Sequence, residues 1–261
     1  LAQDGPVGLA TEVVAVTVRP QVTLRYLAIF KRDATPSAAV ILFSGGDGFI
    51  NLTADGSHGA KLNFLVRSRW RFARRDLFVA VVDTPNRMRL NGLIRTSARY
   101  AQDIGEVIAD VRRRARGAPV WLIGTSAGTL SAAGVAGHLP LSSTAKVNDN
   151  RPNGIVLTAT QSTLVAGLCG KTVFDAKLGA INVPAYLVAH RDDACPCSPA
   201  SGAKRVSAAL VALSPAQKQV RIFVGGAPPQ TLKPCEAMTR HGFIGIEDAV
   251  VAAIADWIKT H

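Results

Sequence analysis

Gly124-Thr125-Ser126-Ala127-Gly128 is the stretch of this sequence best placed to do chemistry. It follows the apolar run Pro119-Val120-Trp121-Leu122-Ile123 and opens a run of small residues. The pattern G-x-S-x-G therefore falls between an expected strand and an expected helix, the context in which it marks a nucleophile. So sharp a turn needs glycine on both sides, because a Cβ at 124 or 128 would collide as strand and helix fold together. The turn lifts the Ser126 hydroxyl clear of the sheet and sets the Ala127 amide at a helix N-terminus, where donors lack partners. Nucleophilic acyl transfer is the chemistry implied. An ordinary small-residue turn is the plainer alternative, and the flanking elements count against it.

A serine hydroxyl needs a base at neutral pH. For a strand–elbow–helix nucleophile the chain order is Ser, acid, His. Four histidines lie downstream. His138 is too close to the elbow helix, His261 is the last residue, and His190 ends a strand where the acid loop is expected. His241 stands after the last strand and before the last helix, so it is the expected base. The acid falls in His190-Arg191-Asp192-Asp193, where either aspartate could hold the imidazole, the other being a turn or capping carboxylate. An oxyanion requires two backbone donors. Ala127 supplies one; Ser44-Gly45-Gly46-Asp47-Gly48 supplies the other, with the Gly46 amide favoured and Asp47 next. A phosphate loop competes weakly for these glycines, since neither G-x-x-x-x-G-K-[ST] nor G-x-G-x-x-G is present.

The elements that carry these residues alternate. Residues 11–18 and 22–30 read as a hairpin about Pro20, and 39–43, 78–82, 119–123, 154–158, 184–189 and 219–224 as strands. Helices are expected at 60–75, 97–115, 127–137, 199–213 and 243–259. Apolar strands alternating with helices predict one α/β domain over 1–261, with a mostly parallel sheet of about eight strands covered on both faces. From about 160 to 183 there is room for a loop and a short helix but no large cap, so an open apolar cleft is expected. Met88, Leu90, Leu93 and Ile94 are candidates for one wall, or for packing beneath their loop.

The 261 residues are 48% hydrophobic and 18% charged, which provides a core and argues against disorder. No apolar run is long enough to span a bilayer, so no stable membrane insertion is expected. The net charge of +12 comes mostly from arginine, in clusters at 67, 69, 71, 74, 75 and at 112–114 and 116. Attraction to anionic polymers or membranes is one reading; solvated outer faces of two helices is the simpler one. At 6% aromatic, the chain offers no nucleic-acid stacking platform. The opening Leu-Ala-Gln-Asp has neither a charged n-region nor an apolar stretch, as expected of a chain trimmed or freed of a secretory signal. Among Cys169, Cys195, Cys197 and Cys235, a bridge within 195–197 is disfavoured. Two pairings then remain, both tying Cys169 and Cys235 to that loop, and both suit a periplasmic or secreted protein rather than a cytoplasmic one. Zinc and free thiols are the alternatives, though no paired C-x-x-C spacing supports a metal.

Over essentially its whole length the chain resembles the α/β-hydrolase superfamily, in particular small bacterial serine esterases and dienelactone-hydrolase-like enzymes. NFLVRSRWRFA (63–73), VVDTP (81–85), GTSAG (124–128) and HGFIGIE (241–247) carry the resemblance. HRDDAC (190–195) resembles that group's acid loop, in which the Asp two places before a Cys is the triad member, and this implies Asp193 rather than Asp192. Dienelactone hydrolases proper use a cysteine nucleophile where this chain has Ser126, and many esterases have His where it has Ser44. The resemblance implies a carboxylesterase acting through an acyl-enzyme on Ser126, without metal or organic cofactor, on small, bulky or polymeric esters. A serine peptidase or amidase would share every catalytic feature, and an exported lipid-binding protein could keep the fold. Acyl specificity and oligomeric state have no signature in the sequence.

Overall fold

In the computed structural model, residues 3–4, 6, 8–140 and 150–261 are described; Leu1 and Ala2 of the opening tetrapeptide lie outside them. Apolar, β-branched runs form the expected strands. These are β2 (Ala10–Arg19), β3 (Val22–Phe30), β4 (Ala38–Phe43), β5 (Leu77–Val82), β6 (Val120–Thr125), β7 (Gly154–Thr158), β8 (Ala185–His190) and β9 (Lys218–Phe223). A two-residue strand, β1 (Gln3–Asp4), was not expected and adds an edge. Among the described residues the sheet has nine strands in the order β1-β2-β3-β5-β4-β6-β7-β8-β9. β5 to β9 run parallel through β4, while β1, β2 and β3 pair antiparallel. All six residues of β4, β5, β6 and β8 are buried, as central strands covered on both faces require.

Alternation along the strands divides the core. Ile41, Leu122, Ile155 and Leu187 meet α3 (Ala98–Arg114), α4 (Gly128–His138) and α5 (Ser201–Ala209) on one face. Val40, Leu42, Ile123, Val156 and Val188 meet α1 (Phe64–Ala73) and α6 (Glu247–Thr260) on the other. Apart from α4, the helices are shorter than their patterns predict, α1 and α6 for local reasons. Asn63 caps α1 by accepting from the Leu65 and Val66 amides. Phe243 (φ 57°) and Gly245 (φ 78°) keep 243–246 out of α6. A further short helix, α2 (Gly92–Arg95), precedes α3.

The arginine clusters are not wholly solvated faces. Arg67 binds Glu247 at 2.9 Å and joins α1 to α6, with both side chains only 14% exposed. Arg112 is buried, donating to Asn153 Oδ1 and the Arg151 carbonyl. A run of arginines reads as surface until a partner elsewhere in the chain is brought to it. Between β7 and β8 stand two 3-10 turns, Val173–Asp175 and Leu178–Ala180, and no large cap among the described residues. No helix among the described residues is long and apolar enough to cross a membrane.

Candidate active site

Because β4 to β9 are parallel, the loops after their C-terminal ends gather at one end of the sheet. Ser126 follows β6 with φ 54°, a left-handed conformation rare for a residue with a side chain. The elbow glycines are explained by contact. A Cβ on Gly124 would lie 2.4 Å from the Gly128 carbonyl oxygen, and one on Gly128 2.2 Å from that of Phe43. The Ser126 amide donates to Thr158 O at 3.0 Å, tying the turn to β7.

Asp193 and His241 meet across 48 residues of sequence, with Nδ1 at 2.9 Å from Asp193 Oδ2. Their side chains are 1% and 5% exposed. A carboxylate only accepts, so Nδ1–H is the donor of this bond. Asp193 Oδ1 also accepts from the Cys195 amide at 2.9 Å. Asp192 points to solvent and pairs with Arg191 rather than with His241. His190 is wholly buried and takes no part in the pair. It accepts the Asp192 amide on Nδ1 and lies 3.0 Å from Gly225 O on Nε2, fixing the acid turn. His138 lies against Thr96 O, and His261 stacks on Trp257.

His241 Nε2 is buried and has no hydrogen-bond partner, so the structure does not make the Ser126–His241 bond. The two residues nonetheless line one cleft of about 230 Å3 with Gly45, Gly46, Asn63 and Phe64. Ser126, Gly46 and Cys235 also line a neighbouring cleft of about 540 Å3, walled by Leu93, Leu168, Gln161 and Lys171. Ser126 thus lines both cavities. Of the apolar residues expected as a wall, Leu93 lines the larger cleft. Leu90 and Ile94 pack into the core, and Met88 is exposed.

Loop 44–48 lies against Ser126: a Cβ on Gly45 would be 3.0 Å from Ser126 Cβ. Its turn is closed by the Gly48 amide donating to Gly45 O, with Gly46 and Gly48 at φ 60° and 76°. Arg95, not singled out by the sequence reading, is 1% exposed directly beneath this loop. No local pattern marks it, since its partners lie 36 to 51 residues away. All four cysteines line the larger cleft as two disulfides, Cys169–Cys197 and Cys195–Cys235. The sulfurs are therefore bonded to one another rather than left as thiolate ligands, and the pairing left open by the sequence is resolved.

No family model and no curated protein sequence matches this chain. Solved structures do resemble it at low identity. A cold-adapted esterase from an Arctic intertidal metagenomic library is 13% identical with a TM-score of 0.63, over 99% of this chain and 96% of that one. A dienelactone hydrolase from Anabaena variabilis is 13% identical with a TM-score of 0.62, over 97% and 99%. An α/β serine hydrolase homologue from Coxiella burnetii is 12% identical with a TM-score of 0.55, over 95% and 96%. A mostly parallel sheet, helices on both faces, a strained serine elbow after β6 and these neighbours together give the chain the α/β-hydrolase fold.

Proposed function

We propose that this protein is a serine hydrolase cleaving carboxylic esters through an acyl-enzyme on Ser126. The observation that carries the reading is the buried Asp193–His241 pair, its Nε2 unpartnered, on the cleft that Ser126 lines from a left-handed elbow. Ser126 Oγ attacks the ester carbonyl as His241 Nε2 takes its proton, and Asp193 stabilises the imidazolium. The Gly46 and Ala127 amides hold the oxyanion, each donor being worth about 2.7–4 kcal/mol in the transition state. The proton passes to the leaving alcohol, and water cleaves the acyl-enzyme by the same route. Hydrogen bonds of this kind often tighten only in the complex with substrate, and rotation of Ser126 about χ1 would turn Oγ within the cleft it shares with His241.

The two clefts and the absence of a large cap among the described residues suit small esters and give bulky or polymeric ones access. The disulfides favour an exported protein. Short-chain nitrophenyl esters and peptide amides, assayed with wild type and Ser126→Ala, test the reading. Ester turnover lost in the variant, with fluorophosphonate labelling of the wild type alone, is the expected result. Amide cleavage exceeding ester cleavage would make it a peptidase, and the absence of both turnover and labelling would end the enzyme reading.

A further inference from the structure

A guanidinium buried without a carboxylate is costly to keep, because desolvation is not repaid by an opposite charge. Arg95 is such a group: fully buried, with no ion pair among the described residues and with Nε unpartnered. Its remaining nitrogens reach two sides of the site. Nη1 donates to Ser131 Oγ at 2.7 Å, on the helix whose N-terminus presents the Ala127 amide. Nη2 donates to Ser44 O at 3.3 Å and Gly46 O at 3.0 Å, on the loop that presents the Gly46 amide.

The geometry matters because of what the loop lacks. Gly45 and Gly46 have no Cβ to resist rotation of their peptide planes. In a trans peptide the N–H points opposite the carbonyl of the same peptide unit, so the Gly45 carbonyl sets the Gly46 amide, and the Ser44 and Gly46 carbonyls set the peptide units on either side of it. Arg95 holds the Ser44 and Gly46 carbonyls, and the Gly48 amide holds that of Gly45. We infer that Arg95 is a positioning residue that clamps both halves of the oxyanion hole at once, and so sets the turnover number rather than substrate affinity. This rests on the serine-hydrolase reading above.

The test compares wild type, Arg95→Met, Arg95→Lys and Ser131→Ala by melting temperature, kcat and KM for a soluble nitrophenyl ester, and fluorophosphonate labelling rate. Wild-type turnover and its loss in Ser126→Ala check the underlying reading independently. Losing one oxyanion donor costs about 10²–10³-fold in kcat. Arg95→Met is therefore expected to lower kcat and the labelling rate by about 10²-fold with KM nearly unchanged. Lysine, keeping charge but not the fork, should restore part of that loss. Hydrogen exchange over 42–50, faster in Arg95→Met and Arg95→Lys, reports the loop whether or not the protein proves to be an esterase. A folded Arg95→Met with wild-type kcat, or with its loss confined to KM, would overturn the inference, as would unchanged exchange. If Arg95→Met does not fold, wild-type kcat and exchange in both Arg95→Lys and Ser131→Ala would overturn it equally.

Discussion

Replacing Cys195 and Cys235 together by serine tests whether the bridge near the Asp193–His241 pair acts on stability, on catalysis or on both. The bridge closes a loop of 40 residues. In the chain-entropy model such a cross-link removes about 13 cal/mol/K from the unfolded ensemble, or about 3.9 kcal/mol at 25 °C. At about 2–4 °C per kcal/mol for a chain of this size, Tm should fall by about 8–16 °C. Catalysis should respond separately. Cys195 donates its amide to Asp193, and Cys235 precedes His241 by six residues on the same loop. A displacement of about 1 Å in such a pair costs up to about 10²-fold in rate. Thermal unfolding followed by circular dichroism, with ester turnover measured well below both transitions, separates the two effects. A double variant melting within about 2 °C of wild type, with the same kcat, would refute both the entropic estimate and the bracing of Asp193 against His241.

Two further outcomes follow from the geometry. Asp193→Asn should lower kcat by about 10⁴-fold, because an amide can hold the wrong imidazole tautomer. Asp192→Asn, at an exposed pair with Arg191, should leave kcat within about twofold; equal losses in the two variants would remove Asp193 from its role. Gly128→Ala would place a methyl 2.2 Å from Phe43 O and 2.8 Å from Ser44 O. Those atoms are backbone and cannot swing aside, so a loss of about 3 kcal/mol or failure to fold is expected, read from the urea midpoint; an unchanged midpoint would contradict the tight elbow.

Most of the scaffold could be read from local pattern, because continuous apolar runs such as Val79-Ala80-Val81-Val82 leave little choice but a central strand. Ser126 could be read for the same reason: its motif lies within five residues. His241 came from chain order, and Asp193 from a resemblance, since spacing could not separate it from Asp192. The structure separates them by burial, which depends on residues more than 40 positions away. What stayed hidden was long-range. The pairing of the cysteines, the inward turn of Arg67 and Arg112, and the burial of Arg95 are all set by partners remote in sequence. Charge in a sequence reads as surface until the fold supplies a partner. The gap between His241 and Ser126 was equally invisible, being a matter of side-chain rotation.

β9 forms the outer border of the sheet beyond β8, and three of its six residues, Gln219, Arg221 and Ile222, are exposed. Among the described residues no strand pairs with its free side, the kind of margin onto which another molecule's strand can add and begin aggregation. Gln219 and Arg221 stand exposed along that margin, so a second copy aligning there would meet a guanidinium and a polar amide, while the Lys218 ammonium turns away to the Ser207 and Leu210 carbonyls.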